Sequence, residues 1–275
     1  MTKRRILFLI LLIVGVFALA GGALIQPSHD RMWIPEHERM PTALVTNGSS
    51  LTITNLRAFR HTTATSSAHW ETRELDLDEL ERLDYIVVPF AGFGAAHTML
   101  SFGFADGQHI SVSIEARRER GESFSPLWGT LKQFELLYII ADERDLLSQR
   151  AVRRGNEHVY LYPVATDHET IRRLFVDILG RANNLVKEPE FYNTVYSTCT
   201  TNLMHHVNAV APGSVPWWDL RLYLPRYSDT LAQKLNFIPN DVSIDTLRET
   251  HNVAGAIQEH ADAPRFSELI RADLP

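Results

Sequence analysis

Two β-rich runs flank the dipeptide Asp106-Gly107, and this pattern constrains the fold more than any other feature of the sequence. The first run covers residues 97–104 and the second covers residues 109–115. Asp-Gly between two such runs is typical of the turn that joins paired antiparallel strands. The pattern therefore predicts an antiparallel β-sheet that contains this hairpin.

Further strands are predicted on both sides of the hairpin. Segments with alternating or continuous apolar character are 50–56, 85–90, 133–141 and 158–164. Pro89 is expected at the edge or the end of its strand, because proline cannot donate to a β-ladder. Residues 75–83 have a helical or turn-like rhythm instead.

The second half of the sequence is helical in pattern. Thr166-Asp167-His168-Glu169 forms a capping box that opens a helix. The apolar stripe of that helix consists of Ile171, Leu174, Phe175, Ile178, Leu179, Ala182 and Leu185. A second helix begins near Cys199, and the sequence past Trp217 is mostly helical in rhythm. Strands followed by helices predict an α+β domain over residues 50–275, an antiparallel sheet packed against helices with a C-terminal helical extension.

A long apolar segment lies near the N-terminus. Three basic residues at positions 3–5 precede 20 uncharged residues, Ile6 to Ile25, which is about the length that crosses a bilayer. Basic flanks stay in the cytoplasm, so residues 1–25 are expected to be a single-pass transmembrane anchor. A cleaved signal peptide ending at Ala18-Leu19-Ala20 is the alternative. Residues 26–49, with their prolines and mixed charges, are expected to form an extended tether.

Composition argues against nucleic acid as a partner. The 275-residue chain has a formal net charge of −6, and no run of lysine and arginine follows the first five residues. Motifs for dinucleotides, nucleotide phosphates and catalytic zinc are missing from the sequence, and the pair His205-His206 lacks metal-ligand spacing. No cofactor and no metal are therefore predicted, and the oligomeric state is left open.

Cys199 is the only cysteine, so it cannot form an internal disulfide. Small hydroxyl residues precede it at the start of a predicted helix, where unpaired N–H groups and the helix dipole favour a thiolate. An exported protein that forgoes disulfides also favours a thiol kept for reactivity. Cys199 is thus a candidate nucleophile, and a small residue that fills a core gap is the alternative.

Among the 12 histidines, His97 is the candidate base. It follows a stretch of small residues and opens an apolar strand, so its ring either faces a cleft or is a hydrogen-bonded core group. His206 lies about 10 Å along the helix from Cys199, too far for proton transfer. With a tight hairpin, Glu115 lies opposite His97 and would hold the imidazole tautomer. Pairing of Glu115 with Arg117 or Arg118 at the surface is the alternative. Histidines in polar surroundings are expected to be solvated: His29, His37, His61, His69, His168 and His260.

Several segments jointly resemble one known family. They are 53–60, 96–104, 113–119, 141–145, 190–193, 199–202 and 270–275, among them Ala96-His97-Thr98-Met99 and Cys199-Thr200-Thr201-Asn202. Together they resemble the Lnb N-terminal periplasmic domain family, named after a lipoprotein N-acyltransferase. The similarity spans about residues 31–275. Two positions depart from the usual pattern, Leu56 and Ala58, where valine and asparagine are commoner.

The resemblance implies a circularly permuted, papain-like (NlpC-like) thiol fold in which a strand histidine precedes a helix-borne cysteine. It assigns the base to His97 and the nucleophile to Cys199. We therefore expect a periplasmic, inner-membrane-anchored thiol acyltransferase or acyl hydrolase that acts through a Cys199 thioester. Membrane phospholipid and a lipoprotein are the expected partners.

Other residues are candidates for substrate binding. Arg57, Arg144 and Asn202 are candidates to line the site or to bind headgroup phosphate. Backbone N–H groups near Cys199 and Thr200 are candidates for an oxyanion hole. Structural ion pairing is the alternative for both arginines, and a hydrogen bond at the helix start is the alternative for Asn202.

Two other functions are compatible with the sequence. A cell-wall cysteine peptidase or amidase would use the same two residues, and a non-catalytic envelope binding module would use neither. A polar, charge-lined cleft at Cys199 would favour the peptidase, whereas a deep apolar groove would favour acyl transfer. An inert thiol, or too great a separation of His97 from Cys199, would favour the binding module.

Overall fold

The computed structural model describes residues 25–92 and 94–275. The predicted anchor at residues 1–25 therefore lies outside the described residues, apart from Ile25. Within the described ranges, no helix combines the length and the apolar character needed to cross a bilayer.

Ten strands are described, and most of them form one sheet. They are β1 (Thr42–Thr46), β2 (Ser50–Arg57), β3 (Arg60–His61), β4 (Ser66–Ser67), β5 (Trp70–Asp76), β6 (Leu80–Ala91), β7 (Ala95–Phe104), β8 (His109–Arg117), β9 (Glu135–Asp142) and β10 (Tyr160–Pro163). The large sheet runs β1-β2-β9-β8-β7-β6-β10, with β5 paired to β2, while β3 and β4 form a separate pair. All its pairings are antiparallel except that of β2 with β9.

The predicted hairpin is formed by β7 and β8. Their register pairs Met99 with Ser113 and Gly103 with His109. The chain turns at Asp106-Gly107, where Gly107 has a φ of +85° that a side chain would oppose. This register brings the start of β7 beside the end of β8, which positions the candidate site.

Most of the α-helices come after the last strand in sequence. The α-helices are α1 (Pro126–Thr130), α2 (Glu143–Ser148), α3 (His168–Lys187), α4 (Cys199–Val210), α5 (Ser228–Lys234), α6 (Ile244–Thr250), α7 (Ala254–Glu259) and α8 (Phe266–Leu269). A π-helical segment, Gln149–Arg153, extends α2. Short 3₁₀ turns lie at Pro35–His37, Leu77–Glu79, Leu220–Leu222 and Pro225–Tyr227.

The sheet has helices on both faces, so the domain is α+β, as predicted. Side chains alternate along a strand: Leu136, Tyr138 and Ile140 of β9 join the core beneath α3 and α4. Leu137, Ile139 and Ala141 point the other way, into a core shared with α2, α7 and α8. Every residue of the predicted α3 stripe is buried, which confirms the helical periodicity.

One local expectation holds only in part, and two were wrong. Within residues 75–83 the expected turn is a single 3₁₀ turn at Leu77–Glu79, and the rest ends one strand and begins the next. The N-cap of α3 is Asp167, whose carboxylate accepts from the N–H of Thr170, rather than Thr166. Residues 26–49 are not an extended tether, because Trp33 is buried and β1 pairs with β2.

Candidate functional site

Cys199 is the first residue of α4, and its neighbours fix the start of the helix. The hydroxyl of Thr198 accepts from the N–H of Thr201, while the hydroxyl of Thr201 accepts from the N–H of Thr198. The N–H of Asn202 donates to the Thr198 carbonyl. In the described part of the chain, the N–H groups of Cys199 and Thr200 therefore remain unpaired at the positive end of the helix dipole.

The thiol of Cys199 meets the imidazole of His97, which lies near the start of β7. Cys199 is 6% exposed, and burial alone raises the pKa of a thiol. The charge of His97, a hydrogen bond from its ring, and hydrogen bonds from the hydroxyl and backbone of Thr98 outweigh burial and lower the Cys199 pKa to about 6. At neutral pH this cysteine is therefore mostly thiolate, the nucleophilic form.

A chain of hydrogen bonds holds the other side of the imidazole. His97 Nε2 lies 2.7 Å from Ser113 Oγ, which donates to Glu115 Oε1, also at 2.7 Å. Glu115 Oε1 is itself 3.4 Å from His97 Nε2. Because Nε2 is occupied, Nδ1 is the ring nitrogen that is left for the thiol.

Glu115 is a half-buried anion in this chain. Burial raises the pKa of its carboxyl, but the charges of His97, Arg150 and Arg154 hold that pKa well below its usual range. Its partner is Arg150, from the π-helical segment, and not Arg117 or Arg118. Glu115 therefore remains ionised and can stabilise a protonated His97 ring.

Cys199 and His97 open into a cavity of about 610 Å³. Its lining is charged and aromatic, and includes Glu36, Glu115, Arg118, Arg150, Arg153, Arg154, Phe90, Phe124 and Tyr192. Four arginines against two glutamates give this cavity an excess of positive charge. It therefore fits the description of a polar, charge-lined cleft.

The positive charge is incompletely neutralised by the protein. Repulsion from Arg150 lowers the pKa of the exposed Arg154 guanidinium. Arg150 is almost fully buried, and its Nε has no hydrogen-bond partner among the described residues. Such groups are typical of a site that binds an anionic group.

A second, apolar cavity of about 170 Å³ lies against α4, the helix that begins at Cys199. Thr200, Leu203, Met204 and Val207 of α4 face it, and aliphatic residues of the elements that pack on α4 enclose it. Thr200 Oγ1 is 3.7 Å from the Cys199 sulfur and 3.2 Å from Thr98 Oγ1. Cys199 thus lies between a cationic cavity and an apolar one.

Sequence comparison identifies the family of the chain. A protein-family model described as the Lnb N-terminal periplasmic domain matches residues 66–226, more than half of the sequence. The chain belongs to this family. Curated proteins and solved structures gave no significant match. Membership confirms the resemblance inferred from the sequence, and it supports a periplasmic, envelope-associated location.

The matched Lnb N-terminal periplasmic domain contains Cys199, His97 and Glu115, which the structure brings together. The structure does not bring Arg57 to the cavity. Arg57 is fully buried, and it makes a bidentate pair with Asp145 at 2.8 Å on each arm. Arg57 therefore makes the structural ion pair that was its alternative.

Arg144 and Asn202 also lie away from the cavity lining. The guanidinium of Arg144 donates to the carbonyl of Ala263 and stands over the Phe266 ring, which attaches α8 to the body. The side-chain amide of Asn202 donates to the Thr198 carbonyl at 2.8 Å and to Ser197 Oγ at 3.1 Å. Asn202 thus makes the predicted alternative contact at the helix start.

Two histidines expected to be solvated are buried instead. His61 lies 2.8 Å from Asp145, and His37 Nδ1 accepts from the N–H of Arg118. Both have polar neighbours in sequence, but partners far along the chain bury them. Burial lowers the pKa of His37 well below its usual range.

Sequence reasoning missed Ser113 and Arg150. A serine on a strand carries no signal by itself, although its position two residues before Glu115 places both on one face of β8. Arg150 has no such signal, because its approach to Glu115 depends on the path of the chain after β9. Among the described residues, no group of three or more potential ligands is arranged to hold a metal ion.

Proposed function

We propose that this chain is a cysteine-dependent acyltransferase or acyl hydrolase of the cell envelope, with Cys199 as nucleophile and His97 as base. The observation that carries the proposal is that Cys199, the first residue of α4, contacts the imidazole of His97, which Ser113 and Glu115 hold in place; this contact lowers the pKa of the thiol. A buried thiol without a function would have its pKa raised by burial. The contact between the two residues also argues against a non-catalytic module.

The chemistry proceeds in two balanced steps. The Cys199 thiolate attacks an ester carbonyl, a carbon–sulfur bond forms, and the ester carbon–oxygen bond breaks while His97 protonates the departing alkoxide. An amine or a water molecule then attacks the thioester and gives its proton to His97. The carbon–sulfur bond breaks and the thiolate is restored. The unpaired N–H groups of Cys199 and Thr200 are positioned to stabilise the oxyanion in both steps.

A membrane phospholipid fits the surroundings of the thiol as acyl donor. Its phosphate would bind the arginine-rich cavity, where Arg118, Arg153 and Arg154 replace Arg57 and Arg144 as the cationic groups. The apolar cavity on the other side of Thr200 would hold its acyl chain. The acceptor in this proposal is the N-terminal amine of a lipoprotein, or water.

The fold and topology complete the proposal. A strand-borne His97 that precedes a helix-borne Cys199 is the order of a circularly permuted papain-like fold. The uncharged run Ile6 to Ile25 would anchor the domain in the inner membrane, which keeps the thiol near its lipid substrate.

A cell-wall peptidase or amidase is the second candidate, and the polar lining of the cavity favours it. Carboxylates of a wall peptide would bind the same arginines. The thioester chemistry would be identical, so the two candidates differ only in the bond that is attacked. Comparing a phospholipid with a wall peptide as acyl donor distinguishes them.

The test is to trap the acyl-enzyme. Full-length protein in detergent is incubated with a phospholipid that carries a labelled acyl chain, and thioester-linked label is measured by its release with hydroxylamine. Wild type should acquire label, whereas Cys199→Ala should not, and His97→Ala should be slowed at least about a hundredfold. His205→Ala, exposed on the same helix and outside both cavities, is the matched control. Label on Cys199→Ala, or labelling by wall peptide alone, would contradict the proposal.

A further inference from the structure

An exposed apolar surface lies beside the mouth of the catalytic cavity. Its residues come from two segments, α1 with its flanks and the turn before α4. They are Phe124 (40% exposed), Leu127 (66%), Trp128 (54%), Leu131 (55%), Val195 (55%) and Tyr196 (67%). We call this surface the docking face. Contiguous apolar surface of this kind is uncommon on a protein that faces only water.

The two segments of the docking face are fixed to each other. Thr194 Oγ1 donates to the Pro126 carbonyl at 2.8 Å. Gly129 packs so closely against Thr194 Oγ1 that a side chain at position 129 would clash with this hydroxyl. Asn193 Oδ1 accepts from the N–H groups of Val195 and Tyr196, which holds the turn with both side chains outward. The face is therefore preorganised rather than a loose loop.

The docking face is continuous with the catalytic cavity. Phe124 belongs to both, and its ring packs against Phe134 and Tyr192 with centroids 5.9 and 6.0 Å apart. Tyr196 is three residues before the nucleophile Cys199 in sequence. A ligand lying on this face would be next to the entrance of the cavity.

Ser28 attaches the N-terminal segment to the end of the sheet that carries α1. The N–H of Ser28 donates to Glu135 Oε1 at 3.1 Å, and Glu135 is the first residue of β9, the strand that follows α1 in sequence. Ile25 is only three residues earlier, so it lies within about 10 Å of that point. If Ile6 to Ile25 cross the membrane, this side of the body is held against the bilayer.

From these observations we infer that the docking face inserts into the lipid surface and positions the cavity mouth over phospholipid. Trp128 and Tyr196 are the side chains that membrane interfaces favour, since each has an apolar body and a polar tip. Arginines at the cavity mouth complement anionic lipid headgroups. The inference rests on the proposed function for its purpose, but lipid contact by this face can be tested separately.

The first test measures lipid contact in the full-length chain. Trp128→Cys, Tyr196→Cys and Val242→Cys are made in a Cys199→Ala background, labelled with an environment-sensitive fluorophore, and reconstituted in phosphatidylethanolamine–phosphatidylglycerol vesicles. Val242, 39% exposed, lies in the loop between α5 and α6, outside the docking face and both cavities, and is the control. Interfacial residues reach roughly 5–10 Å into the headgroup boundary, so a lipid-borne quencher should act at least about twofold more strongly at 128 and 196 than at 242.

Two results would overturn the inference. Equal quenching at all three positions, or none at 128 and 196, would mean that this face does not contact lipid. Shielding of the labels that depends on protein concentration in lipid-free detergent would mean that a second copy of the chain occupies the face.

The second test separates docking from catalysis. Leu127→Ser with Leu131→Ser should slow acylation of Cys199 by vesicle phospholipid at least about tenfold, because two exposed leucines no longer enter the bilayer. Acylation by a short-chain phospholipid below its micelle concentration should stay within about twofold of wild type. Val242→Ser, outside the docking face and both cavities, should change neither rate. An unchanged vesicle rate in the double variant overturns the docking face, whereas no acylation of wild type by either donor overturns the proposed function instead.

Discussion

At the scale of single residues, the site depends on how His97 is held. Its imidazole must face the thiol with one nitrogen while the other is occupied by Ser113, and Ser113 in turn is fixed by the half-buried carboxylate of Glu115. An orienting group of this kind sets both the tautomer and the direction of the ring. Ser113 is thus a positioning residue that acts through His97.

Removal of this hydroxyl should impair the chemistry without unfolding the protein. We expect Ser113→Ala to lower the rate of Cys199 acylation by about tenfold to a hundredfold and to raise the pH at which the rate is half-maximal, because the imidazole is less well oriented towards the thiol. The measurement is the pH profile of acyl-enzyme formation.

Ser111→Ala is the matched control for that prediction. Ser111 lies two residues earlier on β8, is equally buried, and its hydroxyl has no hydrogen-bond partner in the described structure. Its removal should leave the profile unchanged. Equal effects of the two substitutions would show that Ser113 has only a packing role.

At the scale of elements, sequence periodicity predicted what local patterning determines. The buried stripe of α3, the strand pair around Asp106-Gly107 and the start of a helix at Cys199 all follow from neighbours within a few residues. The burial of His61 does not, because its partner Asp145 lies 84 residues away. The arginines of the cavity were missed for the same reason, since α2 and its π-helical extension are brought to the site by tertiary packing.

The capping box of α4 links helix stability to the nucleophile. Thr198→Ala removes the acceptor for the N–H of Thr201 and should cost about 1 kcal/mol of unfolding free energy. Fraying of the first turn moves Cys199 itself, so the acylation rate should also fall, by more than tenfold.

Ser243→Ala serves as the control for the cap. Ser243 caps α6 through the N–H of Thr246 at 3.2 Å, away from the cavity. It should show a similar loss of stability in chemical unfolding and no loss of acylation. A Thr198→Ala protein that acylates at the wild-type rate would contradict the assigned role of the helix start.

At the scale of the whole molecule, buried charges attach the C-terminal segment to the sheet. Arg271 pairs with Glu143, at the start of α2, and with Asp84 of β6. Burial raises the pKa of the Glu143 carboxyl, but the charge and hydrogen bonds of Arg271 outweigh burial and lower it to about 2. These three residues therefore join three parts of the chain that are distant in sequence.

This pair makes stability depend on pH in a defined direction. Because the carboxyl pKa is lowered in the folded protein, the ionised group contributes its full stabilisation above the unfolded-state pKa of about 4.5. This stabilisation is lost as the pH falls towards 2. Glu143→Gln should therefore cost about 3 kcal/mol at pH 7, and roughly half of that at pH 3. Denaturant unfolding of both proteins at the two pH values measures this, and a difference independent of pH would refute the assignment.

The central claim concerns the whole site, namely that Cys199 is a thiolate because His97 faces it. The most direct measurement is the rate of alkylation of the single thiol in the full-length chain as a function of pH, in wild type and His97→Ala. The rate in wild type should be half-maximal near pH 6, and in His97→Ala at a clearly higher pH, because only the Thr98 hydrogen bonds then oppose the effect of burial on the thiol. A wild-type midpoint near that of an ordinary thiol, or one that His97→Ala leaves unmoved, would contradict the account.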